Sequence, residues 1–229
     1  MKKAGRVAAI VAVVALIFAA IIASFNQKPS NAEKVWDFET TIGNRDAKNY
    51  FVIYSDIVCP YCVAFENAIV EHEEDFLKYI KENDVLVEVR LSDFLYEYGQ
   101  VNPIASRESA EAIYCAKREG KFWDYYNHTI ASVWNGYFKK KGKSAFDELN
   151  KLGKDYWIGL GKDVGLSDSF AKCIENDETL EEVINVAAKT VKHIDGMPYF
   201  KFNNYVSSGF DLSWGWDYVM MYFDSGLKS

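Results

Sequence analysis

The sequence holds little of what metal and nucleic-acid chemistry require. It has three histidines, His72, His128 and His193, and no pair of them stands at ligand spacing. The stretch His72-Glu73-Glu74 lacks the second histidine of a metalloprotease helix and reads as a charged helix face. A closed zinc site usually takes two ligand pairs. Of the four cysteines only Cys59 and Cys62 are close together, while Cys115 and Cys173 are far apart, so no metal is assigned. Positive charge is scarce as well. The chain has 26 basic and 33 acidic residues, net -7. Setting aside Lys2, Lys3 and Arg6 leaves 23 against 33, or -10. Beyond Lys139-Lys140-Lys141, which reads as a solvated loop, there is no basic cluster, and nucleic acid is excluded as a partner. No internal repeat and no low-complexity tract occurs.

The chain starts with Met1-Lys2-Lys3-Ala4-Gly5-Arg6 and then runs apolar from Val7 to Ala23. A basic start before such a run is a signal peptide or a membrane anchor, taken as residues 1–25. The run is long for a signal core and short for a spanning helix. An uncleaved anchor is favoured, with a cleaved signal as the alternative. Either places the rest of the chain outside the cytoplasm, in the cell envelope or secreted. Residues 26–33 read as a polar linker, and residues 34–229 as one domain with a substantial core. An even number of cysteines suits an oxidising compartment.

What the chain does have is Cys59-Pro60-Tyr61-Cys62, just after the apolar stretch Tyr50-Phe51-Val52-Ile53-Tyr54 and at the start of a helical pattern. Two cysteines three apart can close a small reversible disulfide. The helix N-terminus offers unpaired N–H groups and partial positive charge, which favour a thiolate. The thiolate is the form that attacks disulfides. Redox chemistry is therefore the leading reading, with a structural disulfide as the bland alternative.

Residues 50–54 read as a buried strand and residues 35–41 as an edge strand. One helix is expected over 61–83, with Phe65, Ile69, Phe76 and Ile80 at helical spacing, then a strand over 85–91. Strand, helix, strand is the crossover of a parallel pair. Residues 102–176 read as a helical block: helices over 106–119 (stopped by Gly120), 122–133, 145–153 and 167–175. A helix over 177–193 follows, then the break Gly196-Met197-Pro198, strands over 199–203 and 205–210, and a last helix over 213–225. This order is that of an α/β, thioredoxin-like fold with a helical insertion.

Four segments, in order, carry a family resemblance. They are Tyr54-Ser55-Asp56 with Cys59-Pro60-Tyr61-Cys62 and Phe65-Glu66; residues 110–123; Gly165-Leu166 with residues 170–174; and Gly196-Met197-Pro198-Tyr199-Phe200. Together they resemble DsbA-like thioredoxin-fold oxidoreductases, from about Tyr50 to the C-terminus. The resemblance implies a protein thiol:disulfide oxidoreductase of the cell envelope. Cys59 would be the exposed nucleophile and Cys62 the resolving partner. Pro198 would be cis and face the disulfide, opening the backbone of Met197 to an extended substrate peptide. Two departures stand out. Met197 occupies a position where the family more often has threonine or valine, and Pro60-Tyr61 lacks the histidine of the strongest oxidases. Tyr61 therefore adds no positive charge to hold the thiolate.

The oxidising direction is favoured, with a reductase or isomerase as the alternative and a chaperone-like peptide-binding module as the rival from another class. No cofactor is expected, since the two sulfurs are the redox centre. Expected partners are thiol or disulfide proteins and a membrane redox partner, either a quinone-linked oxidase or an electron donor. The chain is expected to be a monomer. Asp56 carries two readings, a proton-transfer carboxylate or a cap on the turn. His193 reads as a groove residue or a helix terminator. Cys115 and Cys173 read as buried thiols or as a second disulfide, and an oxidising compartment favours the bridge.

Overall fold

The computed structural model describes residues 35–97, 103–190 and 194–229. The expectations for residues 1–25, residues 26–33 and His193 lie outside them. Among the described residues no helix is long and apolar enough to cross a membrane.

Strands β1 (Thr41–Gly43), β2 (Asn49–Ser55), β3 (Val85–Leu91), β4 (Tyr199–Phe202) and β5 (Tyr205–Ser208) form one sheet in the order β1-β3-β2-β4-β5. β2 and β3 run parallel, and the other neighbours are antiparallel. β2 lies at the centre and is covered on both faces, which is why its sequence is continuously apolar rather than alternating. Successive side chains point to opposite faces. Phe51 and Ile53 enter the larger core, while Tyr50, Val52 and Tyr54 enter a smaller cluster that includes Cys59 and Cys62. On β3 the second face carries Glu88 and Arg90, both buried. Arg90 donates to both Glu88 oxygens and to the hydroxyls of Tyr54 and Tyr50, so the buried charges are paired.

The crossover from β2 to β3 is two helices, α1 (Pro60–Glu71) and α2 (Glu73–Glu82), where one was expected. The break is at His72, whose backbone leaves the helical region (φ -121°, ψ 35°). Its ring stacks on Trp216 at 5.1 Å, and Glu73, Glu74 and Asp75 follow in the first turn of α2, where negative charge is favoured. The expected edge strand over 35–41 is also corrected. Asp37 accepts the Glu39 N–H and starts a 3₁₀ turn (Phe38–Thr40), so the strand runs over Thr41–Gly43 instead.

After α3 (Phe94–Glu97), the insertion comprises α4 (Pro103–Arg118), α5 (Phe122–Val133), an irregular helical stretch over 134–149, α6 (Lys154–Asp163) and α7 (Asp168–Glu175). α4 ends before Gly120, which takes φ +69°, and Ser167 caps α7 by accepting the Ser169 N–H. α6 was not expected, because Gly159 and Gly161 weaken its helical pattern. Gly161 is there for space: a Cβ at this position would run into the Phe170 ring of α7. α8 (Leu180–Thr190) leads back to the sheet, and α9 (Trp216–Leu227) closes the core with Val219 and Phe223.

Cys115 on α4 and Cys173 on α7 are joined by a disulfide across 58 residues of chain. Closing a loop of that size lowers the entropy of the unfolded chain, worth about 4 kcal/mol. The double variant Cys115→Ala/Cys173→Ala should lose about that much in urea unfolding, and an unchanged midpoint would show that the bridge does not form.

Candidate active site

β2 ends at Ser55, and Asp56-Ile57-Val58 carries the chain to Cys59 at the N-cap of α1. Cys59 is extended (φ -77°, ψ 115°), and its carbonyl accepts the Val63 N–H at 3.0 Å. Pro60 takes the first helical position, where its missing N–H costs nothing and its fixed φ suits the helix. Tyr61 is half-buried and packs between the two clusters. Cys62 follows one turn in.

The expected exposure of Cys59 is corrected. It is 3% exposed and Cys62 is 0%. Phe94, Leu95, Ala105, Ile194 and Met197 belong to the same buried cluster and close over the pair. The Met197–Pro198 peptide is cis, and the Cys59 thiol points at the Met197 carbonyl at 3.9 Å. Residues 138 apart in sequence thus meet at the end of α1. Cys59 remains the less buried residue of the two.

Asp56 is fully buried. One oxygen accepts the Val58 N–H (3.1 Å), and the other accepts the Leu95 N–H (2.9 Å) and the Ser106 hydroxyl (2.6 Å). Its own carbonyl accepts the Cys59 N–H at 3.0 Å. Burial pushes its pKa up to about 6, against the three hydrogen bonds, which favour the charged form. It therefore holds three segments together: the turn, α3 and the start of α4.

Glu66 is a further buried carboxyl, one helical turn beyond Cys62. Burial pushes its pKa up to about 7. The hydroxyls of Ser55 and Tyr126 face it without closing a well-aligned hydrogen bond, so both its oxygens stay unsatisfied. The Cys62 thiol is pushed well above its ordinary range, first by burial, then by Cys59 beside it, and further by the charge of Glu66.

A thioredoxin family model matches residues 37–209. The chain belongs to the thioredoxin family. Solved structures of the same fold include a thioredoxin-like oxidoreductase from Silicibacter pomeroyi DSS-3 (16% identity, 84% of this chain and 95% of that one covered, TM-score 0.57). They also include MdbA, a thiol-disulfide oxidoreductase from Corynebacterium diphtheriae (18%, 79% and 85%, TM-score 0.57). A third is the thiol-disulfide exchange protein alpha-DsbA2 from Wolbachia pipientis (17%, 81% and 85%, TM-score 0.53). No curated protein matches the chain.

This thioredoxin-family domain gathers Cys59, Pro60, Tyr61, Cys62, Asp56, Met197 and Pro198 at one end of the sheet. Cys115 and Cys173 lie away from it, in the insertion. Sequence reasoning passed over Glu66 and Ser106 as site residues. Glu66 left a signal, a lone acid four residues after Cys62 among Val63, Ala64, Phe65 and Ala68. Ser106 left none, since its place beside Asp56 depends on how the insertion folds back.

Asp56→Ala should destabilise the domain by about 2 kcal/mol or more, because it strands two backbone N–H groups and a hydroxyl. Glu66→Gln should act in the opposite sense and with pH. The folded Glu66 pKa lies near 7 and the unfolded near 4.5, so its contribution to stability is fully present below the lower value and lost as pH rises through the upper one. Urea unfolding should show the variant gaining on the wild type between about pH 4 and 8, by on the order of 3 kcal/mol, whereas parallel pH profiles would refute the buried charge.

Proposed function

We propose that this protein is a protein thiol:disulfide oxidoreductase acting outside the cytoplasm, with Cys59 as nucleophile, Cys62 as resolving thiol and oxidation of substrate proteins as its main direction. One observation carries the reading: a Cys-X-X-Cys pair at a helix N-terminus, facing a cis-proline loop. A structural disulfide needs no such peptide loop beside it. The similar solved structures from Corynebacterium diphtheriae and Wolbachia pipientis are named a thiol-disulfide oxidoreductase and a thiol-disulfide exchange protein.

In the oxidising direction a substrate thiolate attacks Cys59 of the Cys59–Cys62 disulfide. The S–S bond breaks, Cys62 leaves as a thiolate and takes a proton, and a mixed disulfide remains. A second substrate thiolate attacks the substrate sulfur of that bond, and Cys59 leaves as a thiolate at the N-terminus of α1, where the helix dipole favours it. The substrate gains a disulfide and the pair is reduced. The Met197 backbone lines the approach, so an extended peptide pairs there as it would with a sheet edge. Asp56 positions the turn that carries Cys59, and Pro60 and Tyr61 set the helix start. A membrane partner, a quinone-linked oxidase, reoxidises the pair. The basic, then apolar N-terminus supports an anchored or secreted domain in the cell envelope, and a disulfide in the insertion fits an oxidising compartment. The domain works as a monomer.

Cys59→Ala should abolish both thiol oxidation and insulin reduction, and Cys62→Ala should accumulate a mixed disulfide visible on a non-reducing gel; activity left intact in Cys59→Ala would leave a peptide-binding module. The reduction potential in glutathione buffers decides direction. A value of about -120 to -180 mV marks a disulfide donor or isomerase, and one near about -270 mV a reductase that needs an electron supply.

A further inference from the structure

Charge is unevenly placed on this molecule. Beyond Arg6 the chain has 23 basic and 33 acidic residues, yet Lys139-Lys140-Lys141 sets three positive charges in a row. The run, expected as a loop, forms a helical turn. It follows the π-helical turn Trp134–Phe138 and ends at Gly142, which takes φ +55°. Phe138 before it and Ala145 after it are buried, so the turn is pinned at both ends while its three lysines are exposed. Lys141 donates to both oxygens of Glu148 at 2.6 Å. Among the described residues Lys139 and Lys140 meet no carboxylate.

The packing of α5 on α1 sets where these lysines stand. Asn127 meets Glu73, just past the C-terminal end of α1, at 3.4 Å, and Tyr126 faces Glu66 in the middle of α1. α5 therefore runs antiparallel to α1, and the turns that follow it come to the end of α1 that carries Cys59. The turn Trp134–Phe138 packs against α1 itself, and Phe146 packs against the cluster of Cys59 and Cys62. At about 1.5 Å per residue, the helical path from Tyr126 to Lys139 advances about 20 Å, and α1 from Glu66 back to Cys59 about 10 Å. The lysines thus stand roughly 10 Å beyond Cys59, about one Debye length at ordinary ionic strength.

We propose that Lys139 and Lys140 dock an acidic segment of the substrate protein and so steer acidic thiol or disulfide proteins to Cys59. The proposal rests on the thiol:disulfide reading above. Two uncommitted cations face solvent there, and the partly exposed Trp134 and Tyr137 on the preceding turn add apolar contact. Elsewhere the excess of acid repels such a segment, so attraction at this one turn also sets the orientation of approach. The same excess opposes an anionic membrane, which presents its charge to a whole face of the domain rather than to one turn. The Met197 backbone takes the residues around the reacting cysteine, and the lysines take those further along. An extended peptide advances about 3.3 Å per residue, so the acidic residues belong roughly three positions from that cysteine.

The test mixes the full-length, oxidised protein with three peptides, each holding two cysteines and carrying aspartates, serines or lysines about three positions from the first. The second-order rate constant of peptide oxidation is measured. At about 0.01 M salt wild type should oxidise the aspartate peptide roughly tenfold faster than the serine peptide, with the lysine peptide slowest. The preference should fade at about 1 M salt, where the Debye length is about 3 Å. Lys139→Glu/Lys140→Glu should invert the order of the aspartate and lysine peptides. The readout is a ratio within one preparation, so partial loss of folded variant does not move it. Equal rates for all three peptides in wild type, or an order that the variant keeps, would overturn the proposal. Wild type that oxidises none of them would overturn the thiol:disulfide reading instead; the aspartate peptide with serines in place of its cysteines should still bind wild type more tightly than the variant, and equal binding would overturn the docking. Wild type and variant should partition alike onto phosphatidylglycerol vesicles, whereas binding that depends on the two lysines would assign them to a membrane and overturn the proposal.

Discussion

The pairing of β2 with β4 is the constraint on which the site depends. β2 ends where α1 begins, and β4 begins where the proline loop ends. Because the two strands are antiparallel and Tyr54 stands opposite Tyr199, both termini fall at the same end of the sheet. A slip of one residue would turn every side chain of β4 to the other face and move the loop off the cysteines. The register is held by aromatic packing: Phe51 lies 5.9 Å from Phe200 and 4.2 Å from Phe223, and Phe65 of α1 lies 4.4 Å from Phe200. The same rings that fill the core thus fix how α1 meets the loop.

Two carboxyls and two thiols share this apolar end of the molecule, and they are held in different ways. Asp56 is surrounded by donors and acts as a fastener between segments. Glu66 has hydroxyl neighbours but no committed hydrogen bond. Desolvation raises both, yet the donors around Asp56 keep its pKa nearer 6, while Glu66 sits nearer 7. A carboxyl kept unsatisfied in a core costs stability. The division follows from geometry: the residue with full hydrogen bonds builds the turn, and the other is held in the core by packing alone.

The sequence was most legible where local pattern and tertiary role coincide. β2 and β3 read correctly because a central strand must be apolar on both faces, and α5 read to its ends because its aromatics recur at helical spacing. The parallel crossover, and the Cys59–Cys62 pair at a helix start, were equally plain. What failed were features set by distant partners. The break at His72 answers Trp216, and α6 depends on Gly161 lying under Phe170. The burial of Cys59 was invisible too, since the residues that close over it come from α3, α4 and the proline loop. Tyr126 is a core residue whose hydroxyl end faces Glu66, a role that its place in the helical pattern does not show.

The helical insertion is part of the site rather than an appendage to it. α4 brings Ala105 into the cysteine cluster and Ser106 onto Asp56, and its Arg107 pairs with Asp93 just beyond β3. Near its other end, Cys115 is bridged to α7 and Tyr114 both donates to the Leu91 carbonyl and accepts the Leu91 N–H of β3. α5 covers the far side, where Tyr126 stands over Glu66. One inserted block therefore supplies the roof over the sulfurs, a hydrogen bond to the first carboxyl and a hydroxyl that faces the second. The buried environment of Cys62 and Glu66 is assembled between that block and the sheet, so loosening the insertion would admit solvent to both groups and return their proton affinities toward ordinary values.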